Sequence, residues 1–142
     1  MRKLALLLSF IILSLSSCKT SLINQKIDKR KEGLWIEKYS QDSTQYKSIG
    51  KYKNDDPIKK WRYNQNSILI KREKYKQKHC FTRIYHLNGK IQSKGKTALD
   101  NSTQYAHWYY SGNWNFYNEK GKLVLKRFYE KGNLVTETIV KN

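Results

Sequence analysis

The chain has 142 residues, 29 basic and 11 acidic side chains, a formal net charge of +18 and a mean hydropathy of −0.85. That length suits one domain and excludes two comfortable ones. Such a charge favours anionic partners: lipid head groups, lipopolysaccharide phosphates, acidic proteins or nucleic acid.

Arg2-Lys3 precede an apolar run from Leu4 to Leu15, which ends in Leu15-Ser16-Ser17-Cys18. The run falls well short of the roughly 20 residues that a membrane-spanning helix needs. Basic residues, an apolar segment, small residues and then cysteine resemble the lipobox of bacterial lipoprotein precursors. The resemblance implies that residues 1–17 are a signal peptide and that the Cys18 thiol carries the lipid, with palmitate among its acyl chains. An ordinary secretory signal is the alternative, but it lacks a small-x-small cleavage site. The remaining 125 residues carry 27 basic against 11 acidic side chains, a formal charge of +16. With Cys18 lipid-linked, Cys80 has no intramolecular partner and no disulfide framework exists. Export removes nucleic acid as a partner. Lys19, where inner-membrane retention uses Asp, points to an outer membrane and a periplasm-facing position.

Residues 18–31 read as the lipidated cysteine and a polar, basic tether; the thirteen residues after Cys18 reach at most roughly 45 Å. Leu22, Ile23 and Ile27 leave open one helical turn or an added edge strand. From residue 32 to 142 the texture is β: short runs of Tyr, Trp, Ile and Val separated by Asn, Gly, Asp and Lys. Asn88-Gly89 predicts a hairpin with a type I′ turn. Lys120-Gly121 and Lys131-Gly132 mark further turns, and Asn54-Asp55-Asp56 and Asn64-Gln65-Asn66 occupy comparable places without glycine.

A period emerges when the runs are aligned. Gly33-Leu34-Trp35 leads to Gly50-Lys51-Tyr52, Lys60-Trp61 to Lys74-Tyr75, Arg83-Ile84-Tyr85 to Gly95-Lys96-Thr97, and Asn113-Trp114 to Phe128-Tyr129. Tyr52, Tyr75 and Thr97 are 23 and 22 positions apart, and Tyr129 follows 32 later, implying an insertion near 98–112. These units resemble the MORN-repeat family, in particular the divergent bacterial repeats of YwqK-type antitoxin-like proteins. The resemblance is clearest at Glu32-Gly33-Leu34-Trp35, Gly50 to Asn54 and Trp114 to Gly121. It implies an all-β fold of stacked antiparallel hairpins in an elongated, meandering sheet. Each hairpin buries its apolar face only against its neighbours, so Trp35, Trp61, Tyr85 and Trp114 are expected at corresponding core positions.

Catalytic chemistry has little support in the sequence. His79, His86 and His107 show no metal-site spacing, and no phosphate loop or serine elbow is present, so no metal or cofactor is expected. Cys80 with His79 or His86 could form a thiol–base pair, but adjacent strand residues face opposite ways, and Cys80 reads as structural. Asp55-Asp56, Glu119 and Glu130 could serve glycan hydrolysis, yet they sit at predicted turns. The insertion is rich in aromatics; Trp108 and Tyr110 are expected in the core, and Tyr105 and Tyr109 are the candidate partner contacts.

These features together lead to the expectation of a non-enzymatic, lipid-anchored module with a basic, tyrosine-rich sheet face. Its expected partner is an envelope protein or an anionic glycolipid. An immunity or antitoxin-like role is the alternative that the repeat resemblance implies, and an envelope hydrolase ranks below both. The basic residues are spread along the chain, which reads as a solvated surface.

Overall fold

The computed structural model describes residues 22–102 and 106–141, in which all regular structure is β-strand. The strands are β1 (Gln25–Ile27), β2 (Arg30–Gln41), β3 (Thr44–Lys53), β4 (Asp56–Gln65), β5 (Ile68–Lys76), β6 (His79–Tyr85), β7 (Ile91–Asp100), β8 (His107–Tyr117), β9 (Leu123–Glu130) and β10 (Asn133–Ile139). They form one antiparallel sheet in chain order, the all-β meander expected from the repeats. The sheet reaches back into the stretch read as tether, because Gln25 to Ile27 pair with Glu32 to Arg30 as an added edge strand. The signal peptide, Cys18 and Tyr105 lie outside the described residues.

Turn chemistry departs from expectation in an instructive way. The two-residue turns with positive φ at both positions are Asp28-Lys29, Asp42-Ser43, Asn54-Asp55, Asn66-Ser67 and the expected Lys131-Gly132, and only the last contains glycine. In the Asn88-Gly89 hairpin only Gly89 has positive φ, at 82°, and its N–H donates to the His86 carbonyl at 2.9 Å. The hairpin forms there, but with a turn over His86–Gly89 and glycine in the left-handed position after it, not with a type I′ turn. Gly121 has the same relation to Asn118, at 2.8 Å and φ 85°. A longer loop needs left-handed backbone only after the turn, so one glycine suffices.

The repeat itself is a bulge built around tryptophan. Opposite Gly50 the register of β4 jumps from Ile58 to Arg62, and opposite Gly95 that of β8 jumps from Ser111 to Asn115. Each bulge starts with a left-handed residue two positions before the indole, Lys59 (φ 60°) before Trp61 and Gly112 (φ 67°) before Trp114. Gly33 (φ 75°) stands in the same relation to Trp35. The bulges lay Trp61 over Gly50 and Trp114 over Gly95. Their Nε1 atoms donate to the Lys51 carbonyl at 3.2 Å and the Lys96 carbonyl at 2.9 Å. Both tryptophans are buried, at 2% and 3% exposure, and they are the largest members of the core.

A Cβ at Gly95 would fall inside the Trp114 indole. Gly95→Ala is therefore expected to cost about 1–3 kcal/mol through overpacking. In a Trp114→Ala background the same change should cost much less, because the obstructing ring is gone. A double-mutant cycle by urea unfolding measures this coupling; equal costs in both backgrounds would contradict the stacking.

Tyr85 does not share the tryptophans' position. The third unit lacks the bulge, since β5 and β6 pair without a register shift. Buried Cys80 and Thr82 fill that part of the core, and Tyr85 alternates onto the opposite face, where the Arg72 guanidinium lies 5.8 Å from its ring centroid.

Candidate functional site

Strand alternation divides the sheet into two chemically different faces. One carries Trp35, Tyr52, Trp61, Tyr63, Tyr110 and Trp114, packed edge-on or stacked at centroid distances of 4.6–6.1 Å. It also holds the three ion pairs found among the described residues: Lys31–Glu37 (2.8 Å), Lys71–Glu73 (3.0 Å) and Arg127–Glu137 (2.6 Å). Glu73 additionally accepts hydrogen bonds from the hydroxyls of Tyr63 (2.5 Å) and Tyr75 (2.9 Å). Burial raises the pKa of both tyrosines, which keeps them protonated as donors. Charge on this face is internally compensated.

The other face is cationic. The cross-strand register places Arg62 opposite Arg72, Arg72 opposite Arg83 and Arg83 opposite Lys94, a straight row over β4 to β7. Asn115 and Lys126 continue the row on β8 and β9. Two residues along the strands, on the same face, Lys60 pairs with Lys74, and Phe81 separates Lys74 from Lys96. Arg62, Arg72, Arg83 and Lys94 are all exposed. Shallow depressions of about 270 Å³ and 560 Å³ lie along the row; Lys60, Arg62, Arg72, Lys74, Phe81 and Arg83 line the first, together with Trp61 and Glu73, and Arg83, Lys94, Lys96 and Asn115 are among those lining the second.

No carboxylate neutralises the row. Of the eleven acidic residues, Glu37, Glu73 and Glu137 are paired on the aromatic face. Asp28, Asp42, Asp55 and Glu119 lie in turns between strands, and Asp56, Asp100 and Glu130 are strand-terminal. Glu32, near the start of β2, accepts from the Asn54 amide at 2.9 Å. Like charges directly opposite across strands destabilise a sheet. A bound anion removes that cost.

Apart from the ion-paired Lys31, Lys71 and Arg127, most basic residues of the strands are thus on the face opposite most tyrosines, gathered there by register. A signal for this was present: Arg62, Arg72, Arg83 and Lys94 recur every ten or eleven residues, the length of one strand plus its turn. Reading it required the register, which is set by pairing between strands and not by local pattern.

The other candidate residues are dispersed. Tyr109 is half-buried on the cationic side of β8, 6.0 Å from the His107 ring, while Trp108 and Tyr110 face the aromatic side against Tyr75 and Trp114 but stay exposed, not in the core as expected, because the sheet face there is open. Cys80 is buried with its thiol 3.8 Å from the Thr82 hydroxyl, and burial raises its pKa, which disfavours the thiolate. His79 is on the opposite face from Cys80, and His86 Nε2 is engaged by the Tyr117 carbonyl at 2.9 Å. Asp55-Asp56 and Glu130 belong to strand ends five places apart in the sheet. No family model matches the chain, and neither a curated protein nor a solved structure does.

Proposed function

We propose that the protein is a non-catalytic, lipid-anchored module whose cationic sheet face binds an anionic macromolecule of the cell envelope. One observation carries this reading: Arg62, Arg72, Arg83 and Lys94 stand directly opposite one another with no carboxylate between them. The lipobox-like Leu15-Ser16-Ser17-Cys18 supplies the anchor and the location, an outer membrane facing the periplasm. The repeats, of the MORN kind, supply a rigid sheet on which the charges are held in register.

The test uses the mature chain with Cys18→Ser, which leaves out the lipid, and heparin as a generic polyanion. Arg72→Glu with Arg83→Glu is expected to elute at much lower salt than the parent chain. Lys90→Glu with Lys120→Glu, which changes net charge equally at turns, should shift elution far less. Equal shifts from the two pairs would mean that net charge alone drives retention, and the face would lose its role.

A further inference from the structure

We infer that the row from Arg62 to Lys94 is a track for a linear polymer with phosphate in its repeating unit, laid across the strands. This rests on the reading of the same face as the anion-binding surface and adds the chemistry and shape of the partner.

The first ground is residue choice. The chain contains 23 lysines and only six arginines, yet three of the arginines occupy consecutive places in this one row. A general positive field is served equally by lysine. The planar guanidinium differs in offering two parallel N–H donors to a pair of phosphate oxygens. Arginine concentrated where its neighbours are also cations indicates a ligand that satisfies several forks in succession.

Shape is the second ground. Strand spacing of roughly 4.8 Å puts the four charges on a line roughly 14 Å long. The adjoining line is interrupted by Phe81, so the longest unbroken run of cations is one-dimensional. A linear polyanion fits that run, because its charges repeat along a flexible chain and adjust to successive cations. An acidic protein surface would need an apolar patch at the centre of its contact, and the row has no apolar member, exposed Phe81 and Phe128 standing to its side. A membrane surface attracts lysine and arginine alike as charges and does not explain the arginine selection. Single-stranded nucleic acid sites stack successive bases on aromatic platforms; no aromatic stands in the row, exposed Phe81 and Phe128 lie to one side of it, and the Tyr85 ring faces the Arg72 guanidinium.

The mature chain with Cys18→Ser is titrated with long-chain inorganic polyphosphate, polyglutamate of matched charge, a single-stranded oligonucleotide and phosphatidylcholine vesicles containing phosphatidylglycerol. Polyphosphate is expected to bind at least about tenfold more tightly than polyglutamate, with log affinity falling linearly in log salt. Arg72→Lys with Arg83→Lys should keep the salt dependence but erase most of the preference for phosphate, since charge is retained and the fork is lost. Circular dichroism confirms that the variant keeps its sheet. Polyglutamate or vesicles binding as tightly as polyphosphate would overturn the phosphate-polymer assignment and leave the anion-binding face standing. Tighter binding of the oligonucleotide would overturn it in favour of base contacts. An unchanged phosphate preference in the double lysine variant would remove the arginine row as its source. Failure to bind any of the four, together with failure on heparin, would overturn both readings.

Discussion

Trp114→Ala is expected to lower the unfolding free energy by about 3–5 kcal/mol, and Trp61→Ala by a similar amount. Each indole is almost fully buried, lies flat on a glycine of the preceding strand and donates from Nε1 to a backbone carbonyl. Truncation removes the apolar area, leaves a cavity that the bulge cannot close and strips the carbonyl of its donor. Among the described residues the strands form one sheet, with no second layer packed on it to compensate. A domain with a total stability of about 5–15 kcal/mol has little left after such a loss. Trp35→Ala should cost less, because Trp35 is only half-buried near the β1 edge. Urea unfolding of the mature chain with Cys18→Ser measures all three; full stability in both Trp61→Ala and Trp114→Ala would show that the repeat core is misassigned.

The β character, hairpin order and three tryptophan positions were legible in the sequence because they depend on local patterns of period two and on turn residues. Lys59 shows where local reading failed. It stands where Gly33 and Gly112 stand in the other units, which looks like a broken repeat, but it adopts the same left-handed conformation at φ 60°. The buried Trp61 two residues later holds the backbone there, and packing offsets the roughly 1 kcal/mol that a side chain costs in that region. Tyr85 failed in the opposite way. Its spacing suits a core position, but without a bulge in β6 the alternation turns it outward. The candidate site depended on strand pairing as well. Register decides which basic residues become neighbours, and a one-residue slip moves a whole strand's side chains to the other face. Charges at intervals of ten or eleven therefore read as dispersed until the pairings of β4 with β5, β5 with β6 and β6 with β7 are known.

Replacing Cys18 by serine is expected to release the protein from membranes and abolish palmitate labelling. Acyl chains contribute roughly 0.8 kcal/mol per buried methylene, so two or three chains far exceed what surface charges supply. The cationic face makes the wash condition decisive. At low salt the unlipidated variant can stay on an anionic membrane through Arg62, Arg72, Arg83 and Lys94, an attraction that fades as the Debye length falls to about 3 Å in molar salt. The parent chain should therefore remain in the membrane fraction after a high-salt wash, whereas Cys18→Ser should appear in the supernatant. Adding Arg72→Glu and Arg83→Glu to Cys18→Ser should lower the salt needed for release, because the remaining attraction is electrostatic. An unlabelled parent chain, or a Cys18→Ser variant that resists molar salt, would contradict the anchor. The second result would shift membrane attachment to the sheet itself, with exposed Phe81 and Phe128 on the cationic face as the side chains positioned to enter it.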